Sequence, residues 1–246
     1  MRLTRVHVDA PLSPGTELVL PESAAMHLSR VLRLSVGDEC VLFNGDGHDY
    51  AARIVALDKR GVRVAIESSR AVDNESPLRI ILLQGVARGE KMDLVLQKAT
   101  ELGVASIAPL WSQRSEVKLE GERMVKRLTH WRGVVASACE QCGRARVPGV
   151  ASPMALAATL EAMPAGGLRL ILDPEGELAM GGNLSLAADG HVALAVGPEG
   201  GWSAADREQL RNAGFLGLRL GPRILRTETA GLAAIAALQS RFGDLA

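Results

Sequence analysis

The sequence predicts an α/β protein in two parts: a small β-rich region over residues 1–70 and a larger domain over 78–246 with a mainly parallel sheet. Three observations predict it. Short apolar stretches separated by tight turns fill most of the first seventy residues. After a polar, proline-ended stretch at 71–77, which reads as a linker, strand-like apolar runs alternate with helical stripes. That alternation marks strands joined by crossover helices, an arrangement that makes neighbouring strands parallel. Finally, two glycine-containing bends close together, at 197–201 and 220–226, each join a strand to a helix.

In chain order, Glu22–Leu34 reads as a helix, with Met26, Leu28, Val31 and Leu32 available to pack. Glu39–Phe43 leads into Asn44-Gly45-Asp46-Gly47 and then Tyr50–Leu57, the pattern of a hairpin with a connection longer than two residues. Arg60-Gly61 makes the next turn. Val62, Val64 and Ile66 then alternate with Arg63, Ala65 and Glu67 as a half-buried strand. A small β-barrel with an inserted helix accounts for these elements. In the second part, Arg79–Gln84 is a buried-type strand. Met92, Val95, Leu96, Ala99 and Leu102 make a helical face that Gly103 stops. Ser106–Leu110 is a strand, and Met124, Leu128, Trp131, Val135, Ala138 and Cys142 form one stripe along a long helix. Further strands are expected at Leu168–Leu172, His191–Val196 and Phe215–Leu220, with surface loop between 161 and 190.

Composition bounds the function. The chain has 28 basic and 28 acidic residues, which excludes an all-over polycation that coats nucleic acid. A local basic face is still open, because Arg88–Arg146 holds eleven basic residues against seven acidic. Three cysteines, Cys40, Cys139 and Cys142, argue against a disulfide framework. Cys139 and Cys142 share a helical stripe, so packing explains them, and no second pair completes a thiolate metal site; no metal is expected. The start, Met1-Arg2-Leu3-Thr4-Arg5, lacks the apolar core of a signal peptide, and a soluble, cytoplasmic protein with no membrane partner is expected.

The bends carry the chemistry. Gly197, Gly200 and Gly201 let the backbone turn and approach a ligand. Ser203 is a good helix N-cap, with Asp206 three residues on as its capping partner. Geometry alone would account for such a turn. The GxGxxG spacing of a dinucleotide site is missing, and so is the GxxxxGK[ST] run of a nucleoside triphosphatase. Ala230–Leu238 is apolar on every face, so its own domain or a second subunit must bury it. It follows directly on the polar Arg226-Thr227-Glu228-Thr229, which have no packing motive at the mouth of a buried helix and so favour a ligand role.

Gly197–Trp202 together with Leu220–Ala230 resembles the closing motifs of the RsmE family of SPOUT methyltransferases. His27–Leu34 with Val36-Gly37-Asp38, Gln97–Val104, and Glu140–Arg144 with Val147-Pro148 are similar to family blocks in the same order, so the resemblance spans most of the chain. It implies a PUA-like RNA-binding barrel before a SPOUT domain with a deep trefoil knot. It further implies bound S-adenosylmethionine, a homodimer whose sites borrow residues from the partner, and methylation of N3 of a uridine in 16S ribosomal RNA, within the small ribosomal subunit. On that footing Gly197, Glu199, Gly200 and Gly201 form one wall of the cofactor site. Leu220, Gly221, Ile224 and Leu225 form the adenine-side loop, Thr229 adds a polar contact, and Asp173 lies on a third loop.

Uridine N3 carries a proton at neutral pH, so the site must stabilise a uridinate, and an arginine aimed at its carbonyl oxygens does so. Arg226 is the first candidate and Arg144 of the other subunit the second. Glu199 and Glu228 are candidate proton acceptors. Arg30, Arg33, Arg88, Lys91 and Lys98 are candidate RNA contacts. Two other readings stay open: a SPOUT enzyme acting on a ribose or on transfer RNA, and a ribosome-associated factor without catalysis.

Overall fold

The computed structural model describes residues 3–58, 61–117, 120–186 and 190–245. Arg60 of the expected turn and the first two residues lie outside them. The chain divides into two compact units, 1–75 with 136–147 and 76–135 with 148–246.

The first unit is a five-stranded sheet in the order β1 (Arg5–His7), β3 (Glu39–Phe43), β4 (His48–Asp58), β5 (Gly61–Ala71), β2 (Glu17–Val19). β1 runs parallel to β3 and the other pairs are antiparallel. The expected hairpin joins β3 to β4. The alternation in β5 is the physical one: Val62, Val64 and Ile66 are buried in a core that also takes Val6, Leu42 and Ile54 from β1, β3 and β4. Phe43 is fully buried and carries the Arg5 guanidinium 4.6 Å above its ring.

The expected helix at Glu22–Leu34 is shorter and differently wound. α1 (Glu22–Met26) passes into a π-helical turn, His27–Val31, closed by Leu32 N–H donating to His27 O at 3.0 Å. Arg33 then takes a left-handed φ of 55° and ends it. A π turn holds more residues than 3.6, so a stripe read at the α period loses register by Val31 and Leu32. Leu28 is buried with Ala24 and Ala25, whereas Met26, Val31 and Leu32 are exposed.

The second unit holds an eight-stranded sheet in which every pair is parallel. Its order is β11 (Leu178–Ala179), β13 (Leu216–Arg219), β10 (Leu168–Leu172), β12 (His191–Val196), β6 (Arg79–Gly85), β7 (Ser106–Trp111), β8 (Gly149–Val150), with β9 (Met154–Ala155) also on β7. The helices are α2 (Glu90–Glu101), α3 (Gly121–Cys142), α4 (Leu156–Glu161), α5 (Ala204–Asn212) and α6 (Thr227–Phe242). Gly103 follows the end of α2, and Val104 N–H returns to Ala99 O at 3.1 Å. Period-two alternation gives the central strands two apolar faces. Leu83, Ile171, Ala193 and Ala195 share one cluster with Leu156 of α4 and Leu210 of α5. The alternate position Val196 points toward Gly231 of α6, which packs on α2 and β12.

The stripe of α3 buries Leu128, Trp131, Val135 and Ala138, with Cys139 beside them. All three cysteines are free, and burial pushes the Cys139 thiol up to about 12. Among the described residues no helix is long and apolar enough to cross a membrane.

Candidate active site

Three neighbouring parallel strands, β13, β10 and β12, end on the same side of the sheet, and open α/β sheets bind ligands outside the carboxyl ends of their strands. A cavity of about 550 Å³ lies there. Its walls are Leu172–Pro174 at the end of β10, Val196–Trp202 at the end of β12, Leu218–Gly221 and Arg223–Glu228 at and beyond the end of β13, with Lys91, Arg114, Arg207 and Ala230 around them. That volume is in the range of small-molecule sites, about 300–1,000 Å³.

Local chemistry shapes each wall. Pro198–Gly201 closes as a turn, with Gly201 N–H donating to Pro198 O at 2.8 Å and Gly201 at a φ of +66°, a conformation that favours glycine. α5 starts at once behind it, held by a capping box: Asp206 N–H donates to Ser203 Oγ at 3.0 Å and Ser203 N–H to Asp206 Oδ2 at 2.9 Å. Arg114 Nη1 donates to Gly200 O at 3.1 Å. The loop after β12 meets α6 through a buried relay. Gln84 Nε2 donates to Thr227 Oγ1 at 3.1 Å, and Thr227 Oγ1 donates to Gly197 O at 2.5 Å. Three elements far apart in sequence are thereby tied at the cavity.

Two carboxylates are engaged. Asp173, 4 % exposed, accepts from Arg207 Nε at 2.7 Å and Nη2 at 3.3 Å, and from Glu175 N–H at 3.1 Å. Burial pushes its carboxyl up, but the Arg207 fork and the Glu175 N–H prevail and hold it below the ordinary carboxylate value. Asp173 therefore contributes stability that is complete above its unfolded-state value and is lost as pH falls through the lower folded one. Asp173→Asn is expected to lower unfolding stability by about 1–3 kcal/mol near neutral pH. Urea unfolding of variant and parent should converge as pH falls below the usual carboxylate range; a gap that persists there contradicts the assignment.

Glu199 Oε1 accepts from Arg88 N–H at 3.0 Å and Lys91 Nζ at 3.2 Å. Burial raises its carboxyl, the Arg88 N–H and Lys91 outweigh that, and it too is held below the ordinary value. Two polar atoms on the cavity wall are buried without a partner among the described residues: Glu228 Oε2 and Trp202 Nε1.

The structure brings together Gly197, Glu199, Gly200, Gly201, Leu220, Gly221, Ile224, Leu225, Arg226, Glu228, Asp173 and Lys91 on this cavity. Ile224 is 85 % exposed at its mouth. Thr229 is exposed and off the lining, while Thr227, two residues earlier, is buried in the relay. Arg144 is elsewhere, 5 % exposed in the first unit, with Nε 3.0 Å from Glu75 Oε1 and Nη2 2.5 Å from Oε2. Lys98 pairs with Glu101 at 2.8 Å on α2, and the side chain of Arg88 pairs with Glu116. Arg30 and Arg33 are exposed in the first unit. Sequence reasoning passed over Arg114, Trp202, Arg207, Arg219 and Arg223. Arg219 and Arg223 had a readable signal: Leu218–Arg226 carries three arginines and no acid.

Both the sheet with its strand-end cavity and the unit before it match family models. Residues 74–239 match the RNA methyltransferase domain and residues 20–67 the RNA methyltransferase PUA domain, which places the chain in the class of RNA methyltransferases. The ribosomal RNA small subunit methyltransferase E of Buchnera aphidicola is 32 % identical over 244 residues, 99 % of this chain and 98 % of that one. Its namesake in Mycobacterium tuberculosis is 32 % identical over 96 % of this chain and 92 % of its own. The crystal structure of a ribosomal RNA small subunit methyltransferase E from Neisseria gonorrhoeae, bound to S-adenosyl methionine, superposes with a TM-score of 0.91, 40 % identity and full coverage of both chains. The chain belongs to the ribosomal RNA small subunit methyltransferase E family.

Proposed function

We propose that the protein transfers a methyl group from S-adenosylmethionine to N3 of a uridine in 16S ribosomal RNA, in the cytoplasm and on the small ribosomal subunit. The observation that carries this reading is the full-length match to a relative solved with that cofactor, in a chain whose strand-end cavity has the size to take it. Gly197, Glu199, Gly200 and Gly201 would hold the cofactor from one side and Leu220, Gly221, Ile224 and Leu225 from the other. The earlier Thr229 contact would act from the first turn of α6, beside the buried Thr227.

When bound, the cofactor supplies a methyl group already activated by its sulfonium charge. The chain's own task is the acceptor. Arg226 lines the cavity, is exposed, and its guanidinium has no ion-pair partner among the described residues. It is free to face the uridine carbonyl oxygens, where the charge of a uridinate gathers. Glu228, with an open buried oxygen on the same wall, suits proton acceptance better than Glu199, whose carboxylate is already committed to Arg88 and Lys91. For Arg144 to act in a partner's site it would have to leave Glu75, so it stands second.

The reading extends to the finer architecture. The PUA unit would be a closed barrel that grips RNA through Arg30 and Arg33, with Arg88, Lys91 and Lys98 extending the contact. The larger domain would be a SPOUT domain whose last helix threads a trefoil knot. A second copy would cover α6, where Thr229, Ala233 and Ser240 are exposed. Incubation with labelled cofactor and unmodified small subunits, followed by mass spectrometric mapping, should place one methyl on a uridine base. Label on a ribose, on transfer RNA only, or nowhere refutes the proposal.

A further inference from the structure

Resting on that reading, we propose that Arg219 and Arg223 form a phosphate clamp at the mouth of the cavity, gripping the RNA strand beside the target uridine. Both side chains line the cavity and are exposed. Neither has a hydrogen-bond or ion-pair partner among the described residues. Three other cations on the lining are committed: Lys91 to Glu199, Arg207 to Asp173, Arg114 to Gly200 O. Of the carboxylates on the lining, Asp173 and Glu199 are taken by those partners, and Glu228 makes no ion pair with either arginine.

Charge also concentrates here against the trend of the chain. Residues 147–246 hold seven basic residues against ten acidic, yet three of the seven fall within Leu218–Arg226, which has no acid. A base that enters the cavity brings its own 5′ and 3′ phosphates to the rim. Guanidinium groups on that rim meet them without giving up an internal bond.

The test uses the full chain and unmodified small subunits. Each single-strand phosphate that loses its cation lowers the slope of log K against log salt by about 0.7. The Arg219→Gln/Arg223→Gln double variant should therefore lower that slope by about 1.4. It should raise KM for the subunit by about tenfold or more while kcat at saturation stays within about threefold, and it should leave the S-adenosylmethionine Kd and the melting temperature unchanged. Lysine at both positions should restore most of the slope, because a phosphate contact needs the charge more than the fork. An unchanged slope overturns the clamp. So does a rise in cofactor Kd with no change in slope, which would assign the arginines to the cofactor's carboxylate. If the unsubstituted chain binds no small subunits and transfers no methyl, the functional reading fails and the clamp with it; if it does both, only the clamp is at stake.

Discussion

Arg226→Ala is expected to slow methyl transfer by about 10²–10³-fold while cofactor affinity stays within about twofold. The reasoning is electrostatic. Taking a proton from uridine N3 spreads negative charge onto two carbonyl oxygens, and a cation fixed beside them lowers the barrier without reorganising at the moment of reaction. Arg226 is the N-cap of α6, so its backbone is anchored by Ala230 N–H donating to its carbonyl at 2.8 Å. The anchored residue presents its guanidinium where the helix's partial positive charge adds to its own. Arg226→Lys should recover only part of the rate, because an ammonium cannot span two oxygens as a planar fork does. The alanine variant should also regain activity with rising pH more steeply than the parent, since solvent then supplies the uridinate that the arginine no longer stabilises. Single-turnover rates across pH measure this. A variant with the parent's rate and pH profile would remove Arg226 from the chemistry.

Gly85→Ala should be a damaging conservative change in the larger unit. A β-carbon at Gly85 would lie 2.5 Å from the backbone nitrogen of Pro198 and 2.6 Å from its Cδ. The obstacle is the main chain of the cavity loop rather than a side-chain tip that could swing away. Overpacking of this kind costs about 1–3 kcal/mol, and the loop that must shift is the one proposed to hold the cofactor. We expect a lower urea midpoint and at least a tenfold rise in S-adenosylmethionine Kd, read by calorimetry. Gly231→Ala is the matched control. Its β-carbon would come no closer than 3.4 Å to Val196 Cγ2, and alanine in a helix is favoured over glycine by about 1 kcal/mol. That variant should bind cofactor normally and be no less stable. Equal behaviour of the two variants would mean that the approach of β6 to the loop after β12 has no energetic consequence.

The strands Leu168–Leu172 and His191–Val196 were legible to the residue, because short, largely apolar runs bounded by glycine or aspartate have few other uses in a parallel sheet. The capping box at Ser203 and Asp206 was legible for a similar reason, since both halves of the interaction lie within four residues. The helix after Glu22 misled because its period changes partway, and no residue type announces a π turn. For the site, the two glycine bends pointed to two of the loops that line the cavity. Side-chain commitments did not show, because the partners are remote: Gln84 meets Thr227 143 residues away, Arg144 meets Glu75 across 69, and Asp173 meets Arg207 across 34. Thr227 and Thr229 are equivalent as text, and only the helix start decides which one turns inward.

The Gln84–Thr227–Gly197 relay bears on when the protein becomes able to work during its own synthesis. A ribosome completes β6, β10 and β12 long before it reaches Thr227, yet the cavity wall needs the first turn of α6 to be closed. A nascent chain can therefore build most of its sheet and still have no methyl-donor site. Competence arrives as a late, single event once residues 227–238 have emerged and docked, and chains released before that point should be inert toward the cofactor rather than weakly active.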